Sequence, residues 1–419
     1  MTEGPGMHIG YLSQYFHPEI AAPAARIEEL GRVWLARGHR VSVLTGFPNY
    51  PRGEVFPGYR GRRFMRESWN GFEVTRVPLF ATPRHGSVPT ALSHLSFALA
   101  AAGASFLRGA PRPDVWIATS PPLFVGVGGV ALRRAQRVPL VFEVRDLWPD
   151  YFRDLGMLRP GPTLSALYRM ERHFYRSADA VVTIADAAVE NVVGKGIERG
   201  KVFSVPGGAE VRSLPRRTAE ERAAARARFG VRADAFVVGY LGTHGRCQRL
   251  HVLGGAVREL AGEGVQFLFV GDGAGKPLLE DAVRAEPTGA VLLPGQPREA
   301  LAELYAVCDL LLVPLGDFPV ISRTIPSKLF EIMGYGRPFV ALVRGGAAAI
   351  AAASGGGEVV EPEDTRGLVS AVRRLRRRGA AGLERMGERG REYLRTHYTR
   401  ERMALRYLEI LQRLVSGPR

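Results

Sequence analysis

The sequence predicts an α/β protein with two Rossmann-like domains, each built on a parallel sheet. Short apolar runs alternate with longer amphipathic stretches, which is typical of repeated strand–helix units. The alternation starts again near residue 236, after a segment rich in Gly and Pro. A chain of 419 residues with 46% hydrophobic residues also has ample length for two separate cores.

The first half opens with a strand–helix–strand pattern. Apolar runs at residues 8–12 and 40–45 are predicted strands, and the amphipathic stretch 24–37 between them is a predicted helix. Gly126 and Gly128 are interpreted as positions of close helix packing. Further strands are expected at residues 73–77, 115–118, 140–144, 180–184 and 202–205.

The second half repeats this pattern after a predicted hinge at residues 206–218. The two domains are therefore expected at residues 1–205 and 219–395. An amphipathic helix at 396–414 begins a final segment, 396–419, that is expected to cross back to the first domain. Strands of the second half are predicted at residues 236–241, 266–270, 291–293, 310–313, 339–342 and 359–360.

The composition bounds the class of protein. No apolar run approaches the roughly 18 to 20 residues that a membrane-spanning helix needs, and the first residues lack a signal-peptide pattern. Cys247 and Cys308 are the only cysteines, which excludes a disulfide framework and a cysteine-based metal site. We therefore expect a cytoplasmic protein.

The formal net charge of +16 suggests an anionic partner. Lysine occurs only four times, however, so arginine supplies 53 of the 57 basic residues, which indicates a compositional bias of the genome. No basic stretch is interleaved with aromatic residues that would stack on bases, so no nucleic-acid partner is expected. Peripheral contact with an anionic membrane is left open, because long-range attraction needs only net charge.

Residues 324–338 carry the most informative pattern in the chain. Ser327 is expected to cap a helix whose first amides and dipole attract an anion, and Lys328 adds a positive charge beside them. Glu331 falls on the same helix face as Ser327, where its carboxylate can accept hydrogen bonds from ribose hydroxyls. Gly334 and Gly336 should end the helix. The segment therefore predicts a diphosphate site, and the alternative is a capped amphipathic helix with a solvated Glu331.

Two other loops of the second half bear on this site. The loop after the strand at 236–241 contains a glycine turn, a hydroxyl group and two guanidinium groups, which suit a diphosphate. Residues 271–276 resemble a P-loop, but Pro277 stands where Ser or Thr is needed, so we interpret them as a tight turn with a solvated Lys276. No Asp-x-Asp pair occurs. Metal-independent chemistry is therefore expected.

The first half has three loops of interest. The loop at 13–23 contains His17, and the loop at 45–51 is dense in aromatic and turn residues; for both, a binding role and a structural role stay open. After the strand at 140–144, Arg145 stands beside Asp146. A structural ion pair is one interpretation of this pair, but the polar and aromatic residues that follow favour a site.

Together these loops resemble those of glycosyltransferase family four, the retaining enzymes of GT-B fold. The likeness is to its O-antigen and exopolysaccharide branch, which includes N-acetyl-fucosamine transferases. It covers nearly the whole chain and rests on residues 14–19, 44–51, 144–149 and 325–331. The resemblance implies two Rossmann-like domains that face a cleft, with the acceptor held mainly by the first domain and the donor mainly by the second.

The resemblance also implies an activity. It is the transfer of a sugar from a nucleoside diphosphate sugar, with a UDP-sugar favoured, to a carbohydrate or lipid-linked acceptor in bacterial polysaccharide synthesis. Neither a cofactor nor a metal ion is expected. Implied donor-binding residues are Thr243, Gly245, Pro294, Gly295, Ser327, Lys328, Leu329 and Glu331. Implied catalytic residues are Arg145, Asp146, Arg246, Arg249 and Lys328. Implied acceptor-binding residues are Tyr15, His17, Glu19, Asn49 and Trp148.

One departure from the family pattern affects donor choice. Arg323 stands where the family's Glu-x7-Glu motif has its first glutamate, so residues 317–322 are expected to contact the donor sugar instead. The alternatives that remain are an antibiotic or other secondary-metabolite glycosyltransferase, a sugar-nucleotide 2-epimerase of the same fold, and a non-catalytic GT-B scaffold protein. Arg323 favours the last of these.

Overall fold

The structure is a computed structural model that describes residues 6–83, 86–104, 106, 110–214 and 218–417. The chain divides into two compact units. Unit 1 comprises Met1–Pro206 together with Arg400–Arg419, and unit 2 comprises Gly207–Thr399. Among the described residues, no helix is long and apolar enough to cross a bilayer.

Unit 1 is built on an eight-stranded sheet with the strand order β3-β4-β2-β1-β5-β6-β7-β8. Its strands are β1 His8–Leu12, β2 Arg40–Gly46, β3 Met65–Trp69, β4 Phe72–Val77, β5 Val115–Ser120, β6 Leu140–Val144, β7 Ala180–Thr183 and β8 Val202–Ser204. Its helices are α1 Ala22–Ala36, α2 Ser87–Ala104, α3 Val125–Gln136, α4 Trp148–Asp154, α5 Pro162–Ser177, α6 Asp186–Gly194 and α15 Arg400–Ser416.

Unit 2 is built on a six-stranded sheet with the order β11-β10-β9-β12-β13-β14, in which every pair is parallel. Its strands are β9 Phe236–Leu241, β10 Val265–Val270, β11 Ala290–Leu293, β12 Leu310–Pro314, β13 Phe339–Leu342 and β14 Gly357–Val360. Its helices are α7 Ala219–Arg228, α8 Gly254–Ala261, α9 Lys276–Val283, α10 Leu301–Val307, α11 Ser327–Gly334, α12 Gly345–Ser354, α13 Thr365–Arg377 and α14 Gly379–His397. The predicted α/β class with two Rossmann-like sheets is confirmed.

The predicted strands are present to within a few residues, but the sequence analysis missed β3. This strand pairs only with β4, antiparallel, and its side chains alternate between half-buried and exposed. Because it lies at the sheet edge, it has no apolar run. The close packing expected at Gly126 and Gly128 is confirmed, since a Cβ at Gly126 would overlap the ring of Phe174 and one at Gly128 would lie 3.1 Å from Leu12.

The last helix begins later than predicted. Residues 396 and 397 belong to α14, and Tyr398, with φ −135°, separates that helix from α15. Within unit 1, α15 packs on α1, where the indole of Trp34 donates a hydrogen bond to the Ala404 carbonyl at 2.8 Å. This bond is buried, so the helix that ends the chain completes the core of the first unit.

Part of the predicted hinge is hydrogen-bonded to unit 2. The amide of Ala209 donates to the Tyr398 carbonyl at 3.1 Å, and the amide of Arg212 donates to the Gly334 carbonyl at 2.9 Å. Pro215 and residues 216–217 lie outside the described residues. A hinge at 206–218 and domain closure about it stay predictions.

Candidate functional site

The loops expected to bind a donor follow neighbouring strands of unit 2. The carboxyl ends of β11, β10, β9 and β12 lie along one edge of the sheet because these strands are all parallel. The segment leading into α11 follows β12 at the same edge. The fold therefore collects at one edge the loops that the sequence analysis singled out separately.

The side chain of Lys328 reaches the loop after β9. A Cβ built on Gly242 would lie 2.6 Å from Cε and 3.0 Å from Nζ of Lys328, so the lysine passes over a residue without a side chain. Gly242 has a φ of +155°, a backbone conformation that side chains rarely adopt. Nζ also lies 3.4 Å from a carboxylate oxygen of Glu331. The ammonium group thus lies between the end of β9 and the start of α11.

The start of α11 differs in two respects from the prediction. Ser327 is the first helical residue rather than the N-cap, which is Pro326, and no side chain caps the helix. The amide of Leu329 already donates to the Pro326 carbonyl at 3.0 Å, so it is not available to a phosphate as expected. The first two amides, of Ser327 and Lys328, have no intrahelical acceptor and remain as anion donors.

The side chain of Glu331 lies beside Tyr305, one of two stacked tyrosines. The rings of Tyr305 and Tyr335 stack with their centroids 4.2 Å apart, and both side chains are buried. Burial raises the pKa of the Tyr305 phenol well above its ordinary value, and the neighbouring Glu331 carboxylate raises it further. The Glu331 side chain itself is 36% exposed, so its carboxylate is held by Lys328 on one side and open to solvent on the other.

Asp272 joins the loops after β10 and β11. One of its carboxylate oxygens accepts from the Gly295 amide at 2.7 Å, and the other accepts from Nζ of Lys276, also at 2.7 Å. The hydrogen bond from Lys276 is the main cause of the lowered pKa of Asp272. Lys276 is therefore paired rather than solvated as predicted. The expected tight turn is confirmed, and it positions Pro294 and Gly295.

The two arginines of the loop after β9 differ in their surroundings. Nε and Nη2 of Arg249 each donate to a Glu363 carboxylate oxygen at 3.2 Å, which ties this loop to the one after β14. Arg246 is exposed and has no partner among the described residues. Thr243 is also exposed, and its carbonyl accepts from the hydroxyl of Tyr240 at 2.7 Å. Arg246 and Thr243 are thus free to bind a ligand, whereas Arg249 has a structural partner.

The segment expected to contact the sugar in place of the missing glutamate has internal partners. The Asp317 carboxylate pairs with Arg344 at 2.5 Å, and the Ser322 hydroxyl donates to the Pro319 carbonyl at 2.8 Å. A cavity among these residues measures only about 10 Å³, which is the size of one water molecule. The Arg323 side chain has no partner among the described residues.

In unit 1, Glu19 clamps two loops together. Its buried carboxylate accepts from the amides of Asn49 at 2.8 Å and Tyr50 at 2.9 Å in the loop after β2. It also accepts from the Phe16 amide at 3.2 Å in its own loop. Burial raises the pKa of Glu19 to about 7 against the opposing effect of these three donors. This geometry gives Glu19 a positioning role for two loops predicted to bind the acceptor, and Asn49 is buried with it.

Tyr15 and Trp148 meet around a histidine that the sequence analysis did not single out. The Tyr15 hydroxyl lies 3.5 Å from Nε2 of His94 in α2, and the rings of His94 and Trp148 have their centroids 5.6 Å apart. Tyr50 packs edge-on against Tyr15 at 5.6 Å. His17 lies elsewhere, stacked on Trp69 of β3 at 4.1 Å. The structure thus places four of the five predicted acceptor residues in two groups, Tyr15 with Trp148 and Glu19 with Asn49, and places His17 against a strand that was missed.

Arg145 and Asp146 do not form an ion pair in the described part of the chain. Nε and Nη1 of Arg145 are buried without an acceptor. The nearby Glu143 carboxylate is occupied by Arg26 at 2.8 Å and Thr119 at 2.7 Å. Burial lowers the pKa of Arg145 and raises that of Asp146. A guanidinium group without a partner at the carboxyl end of β6 favours a site over the structural pair.

Two family models match the chain. The model described as "Glycosyl transferase 4-like domain" matches residues 22–208, and the one described as "Glycosyl transferases group 1" matches residues 235–378. The chain belongs to the family-four glycosyltransferases of GT-B fold. The family predicted from the loop motifs is therefore confirmed.

Relatives of this glycosyltransferase include a protein of Escherichia coli named for glycosyl transfer in colanic acid biosynthesis, WcaI. It is 26% identical over 366 residues, covering 85% of this chain and 89% of that protein. A GDP-mannose-dependent alpha-mannosyltransferase of Mycobacterium tuberculosis is 26% identical over 341 residues, covering 81% of this chain and 80% of that one.

Solved structures show the same fold at low identity. Sucrose-phosphate synthase from Thermosynechococcus elongatus has a TM-score of 0.77 and 18% identity, covering 98% of this chain and 100% of that one. Anabaena HepE in complex with UDP and glucose has a TM-score of 0.68 and 16% identity, covering 97% and 99%. Likeness at this identity supports the fold of the glycosyltransferase and not its substrates.

His244 is a second residue that sequence reasoning missed. It is a buried residue of the loop after β9, and both of its ring nitrogens lack a partner among the described residues. Burial lowers its pKa to about 4, so the ring is neutral at physiological pH. The sequence does contain a signal for this packing, because Gly271 and Gly273 follow β10 and side chains there would overlap Gly242 and His244.

Among the described residues, no group of three His, Cys, Asp or Glu could hold a metal ion. Metal independence stays a prediction.

Proposed function

We propose that this glycosyltransferase moves a hexose-type sugar from a nucleoside diphosphate sugar to a glycan or lipid-linked acceptor in bacterial polysaccharide synthesis. The favoured donor is a UDP-sugar, the anomeric configuration is retained and no metal ion takes part. We propose further that the enzyme works at the surface of an anionic membrane. The protein named for colanic acid biosynthesis supports the assignment to polysaccharide synthesis. The choice of a UDP-sugar follows the resemblance of the loop motifs.

The observation that carries the proposal is the position of Lys328 over Gly242 and beside Glu331. Departure of a nucleoside diphosphate builds negative charge on its β-phosphate, and an ammonium group with two preorganised helix amides stabilises that charge. The Glu331 carboxylate, 3.4 Å from the ammonium, is placed to accept hydrogen bonds from the ribose hydroxyls of the same ligand. Arg246 supplies a second, unpaired cation from the loop after β9.

The proposed transfer is a front-side displacement. The bond between the anomeric carbon and the diphosphate oxygen breaks, the bond from the acceptor hydroxyl oxygen to that carbon forms, and the hydroxyl proton passes to the leaving phosphate. No protein nucleophile is required. Lys328, Arg246 and the α11 amides stabilise the leaving group, and Arg145 with Asp146 orients the acceptor side.

The experiment that tests this proposal is thermal stabilisation by nucleotides. Wild type, Glu331→Ala and a control, Glu384→Ala, would each be heated with UDP, GDP, TDP or CMP in the presence of a chelator. Glu384 is exposed on α14 and has no partner among the described residues, so it matches the charge change alone. We expect UDP to stabilise wild type and the control, and the shift to be lost in Glu331→Ala.

Other outcomes of the same panel are informative. A shift in melting temperature with GDP alone would indicate a GDP-sugar donor instead of a UDP-sugar. GDP is the second candidate because one relative is named as a GDP-mannose-dependent enzyme. A shift that appears only when Mg²⁺ replaces the chelator would contradict metal independence. No shift with any nucleotide would contradict the transferase proposal and favour the scaffold alternative.

A further inference from the structure

Helix α2 has an exposed apolar stripe. Val88, Leu92, Leu95 and Leu99 are 70%, 50%, 38% and 58% exposed. At 3.6 residues per turn, their spacing of four, three and four places them within an arc of about 60° and along about 17 Å of the helix. Phe106, just beyond the helix, is 83% exposed. Four large apolar side chains in one line form a continuous exposed patch, unlike the scattered exposed residues that every surface has.

The opposite face of α2 is buried in unit 1 and reaches the candidate acceptor residues. Phe97, Ala98 and Ala101 are fully buried. The hydroxyl of Ser93 accepts from the Gln14 amide nitrogen at 3.4 Å, and His94 lies between Tyr15 and Trp148. One helix therefore presents an apolar face outward and contacts the predicted acceptor loops with its inner face.

The sequence on either side of α2 carries positive charge and no negative charge between Glu73 and Asp114. The helix itself contains no Asp, Glu, Lys or Arg. The charged residues that flank the helix along the chain are arginines, with Arg112 exposed and Arg84 and Arg108 known from the sequence. An apolar stripe with basic flanks matches the interface of a bilayer that contains anionic lipids.

We propose that α2 lies in the surface of an anionic membrane through Val88, Leu92, Leu95 and Leu99, and that this contact presents a lipid-linked acceptor to Tyr15 and Trp148. The stripe is about half as long as the roughly 30 Å core of a bilayer, so the helix lies in the membrane plane and does not cross it. Both parts rest on the proposed function: the membrane contact names the surface that meets the lipid, and the delivery step depends on a lipid-linked acceptor.

A second copy of the chain is the competing occupant. The spacing of the stripe also fits a short helix–helix seam. A stable dimer, however, buries about 800 Å² on each partner, which is more than four side chains of one helix offer. The helix also lacks the flanking charges that fix the partner in such seams. The net positive charge of the sequence around α2 favours anionic lipid over a second copy that carries the same charge.

The test is co-sedimentation of the full chain with vesicles. The probes are phosphatidylcholine alone and phosphatidylcholine with about one third phosphatidylglycerol, at low and high salt. The variant replaces Leu92, Leu95 and Leu99 with Ser. A matched control replaces three apolar residues of similar exposure elsewhere, Met157, Leu278 and Val359, which are 53%, 54% and 38% exposed.

We expect wild type and control to pellet with the anionic vesicles. The α2 variant should bind them with an affinity about tenfold lower, or lower still. High salt and neutral vesicles should each reduce wild-type binding. The proposal is overturned if wild type does not pellet with anionic vesicles at low salt. This part of the test uses no variant, so it does not depend on whether a variant folds. Equal binding of the α2 variant and the control would also overturn it, as would a wild-type dimer in sedimentation velocity that the α2 variant dissolves.

Thermal stabilisation by UDP, measured on the same preparations, separates this inference from the proposed sugar transfer. A retained UDP shift in the α2 variant shows that it is folded and that its donor site is intact. Loss of vesicle binding with a retained shift supports the membrane contact. Vesicle binding by a wild type that no nucleotide stabilises would keep the membrane contact and remove its link to acceptor delivery.

Discussion

The ammonium group of Lys328 lies over Gly242, and neither residue can be changed without affecting the other. A Cβ on the glycine would come within 2.6 Å of Lys328 Cε, and the φ of +155° at Gly242 already restricts that position. The glycine directly follows β9, and the lysine, 86 positions later in the chain, is the second residue of α11. Their contact joins the first loop of unit 2 to the helix that the sequence analysis selected as the diphosphate site.

Gly242→Ala is expected to weaken nucleotide binding by about tenfold or more, because the new methyl group displaces Lys328. Backbone strain should also lower the free energy of unfolding by about 1–3 kcal/mol. Nucleotide titration and chemical denaturation measure the two effects. Gly346→Ala is the control, because a Cβ there meets open space. Unchanged nucleotide binding in Gly242→Ala would show that Lys328 is not a ligand of the diphosphate.

The pairing of Arg249 with Glu363 is expected to be a structural coupling. In a double-mutant cycle with Arg249→Ala and Glu363→Ala, we expect a coupling free energy of about 0.5–1 kcal/mol, since the pair is bidentate but partly exposed. Arg246→Ala, in contrast, should reduce nucleotide binding with little change in stability. A zero coupling together with lost nucleotide binding in Arg249→Ala would restore the catalytic role predicted for that arginine.

Glu19→Gln is expected to destabilise unit 1 by about 1–3 kcal/mol, because an amide cannot accept all three backbone donors. Chemical denaturation would measure this, with Glu190→Gln on α6 as the exposed control. The folded pKa of about 7 is raised above the ordinary 4.5. The folded state then binds more protons between these values, so the stability contributed by Glu19 should fall as pH rises from about 4.5 to 7. A difference between wild type and variant that grows over this range would contradict the raised pKa.

His94→Gln is expected to show the opposite pH dependence. Burial lowers the folded pKa of His94 from 6.5 to about 4, so in this range the unfolded chain binds the proton and the folded chain does not. The stability contributed by His94 should therefore be complete above pH 6.5 and fall as the pH drops towards 4. Denaturation of wild type and variant at several pH values would measure it. A constant difference from pH 7 to 5 would place the histidine in contact with solvent.

Local patterns were enough to predict the elements that are buried and parallel. The strands at residues 8–12, 140–144, 236–241 and 339–342 have the predicted bounds, because a strand covered on both faces must be apolar throughout. β3 was missed because an edge strand needs no such run. The start of α15 was placed too early, since an amphipathic pattern continues through Tyr398 although the backbone turns there.

The candidate site was predicted in part. The motif at 324–338 led to Lys328 and Glu331, whose types and spacing carry their chemistry. Nothing in the sequence near Arg249 indicates its partnership with Glu363, which lies 114 positions away. Nor does any local pattern bring His94 to Tyr15 and Trp148. Such contacts depend on the order of the strands in the sheet, because that order decides which loops are neighbours.

The sequence by itself determined the family and the two-sheet fold and predicted which residues hold a diphosphate, because each depends on local periodicity or on a short motif. Only the tertiary structure decided which of those residues are free to act. Arg246 is exposed with no partner among the described residues, and Lys328 lies between Gly242 and Glu331, while Arg249, Lys276 and Glu19 have structural partners. The physical reason is that a charged group binds whatever opposite charge or donor the fold places beside it, and that neighbour is set by strands distant in the chain.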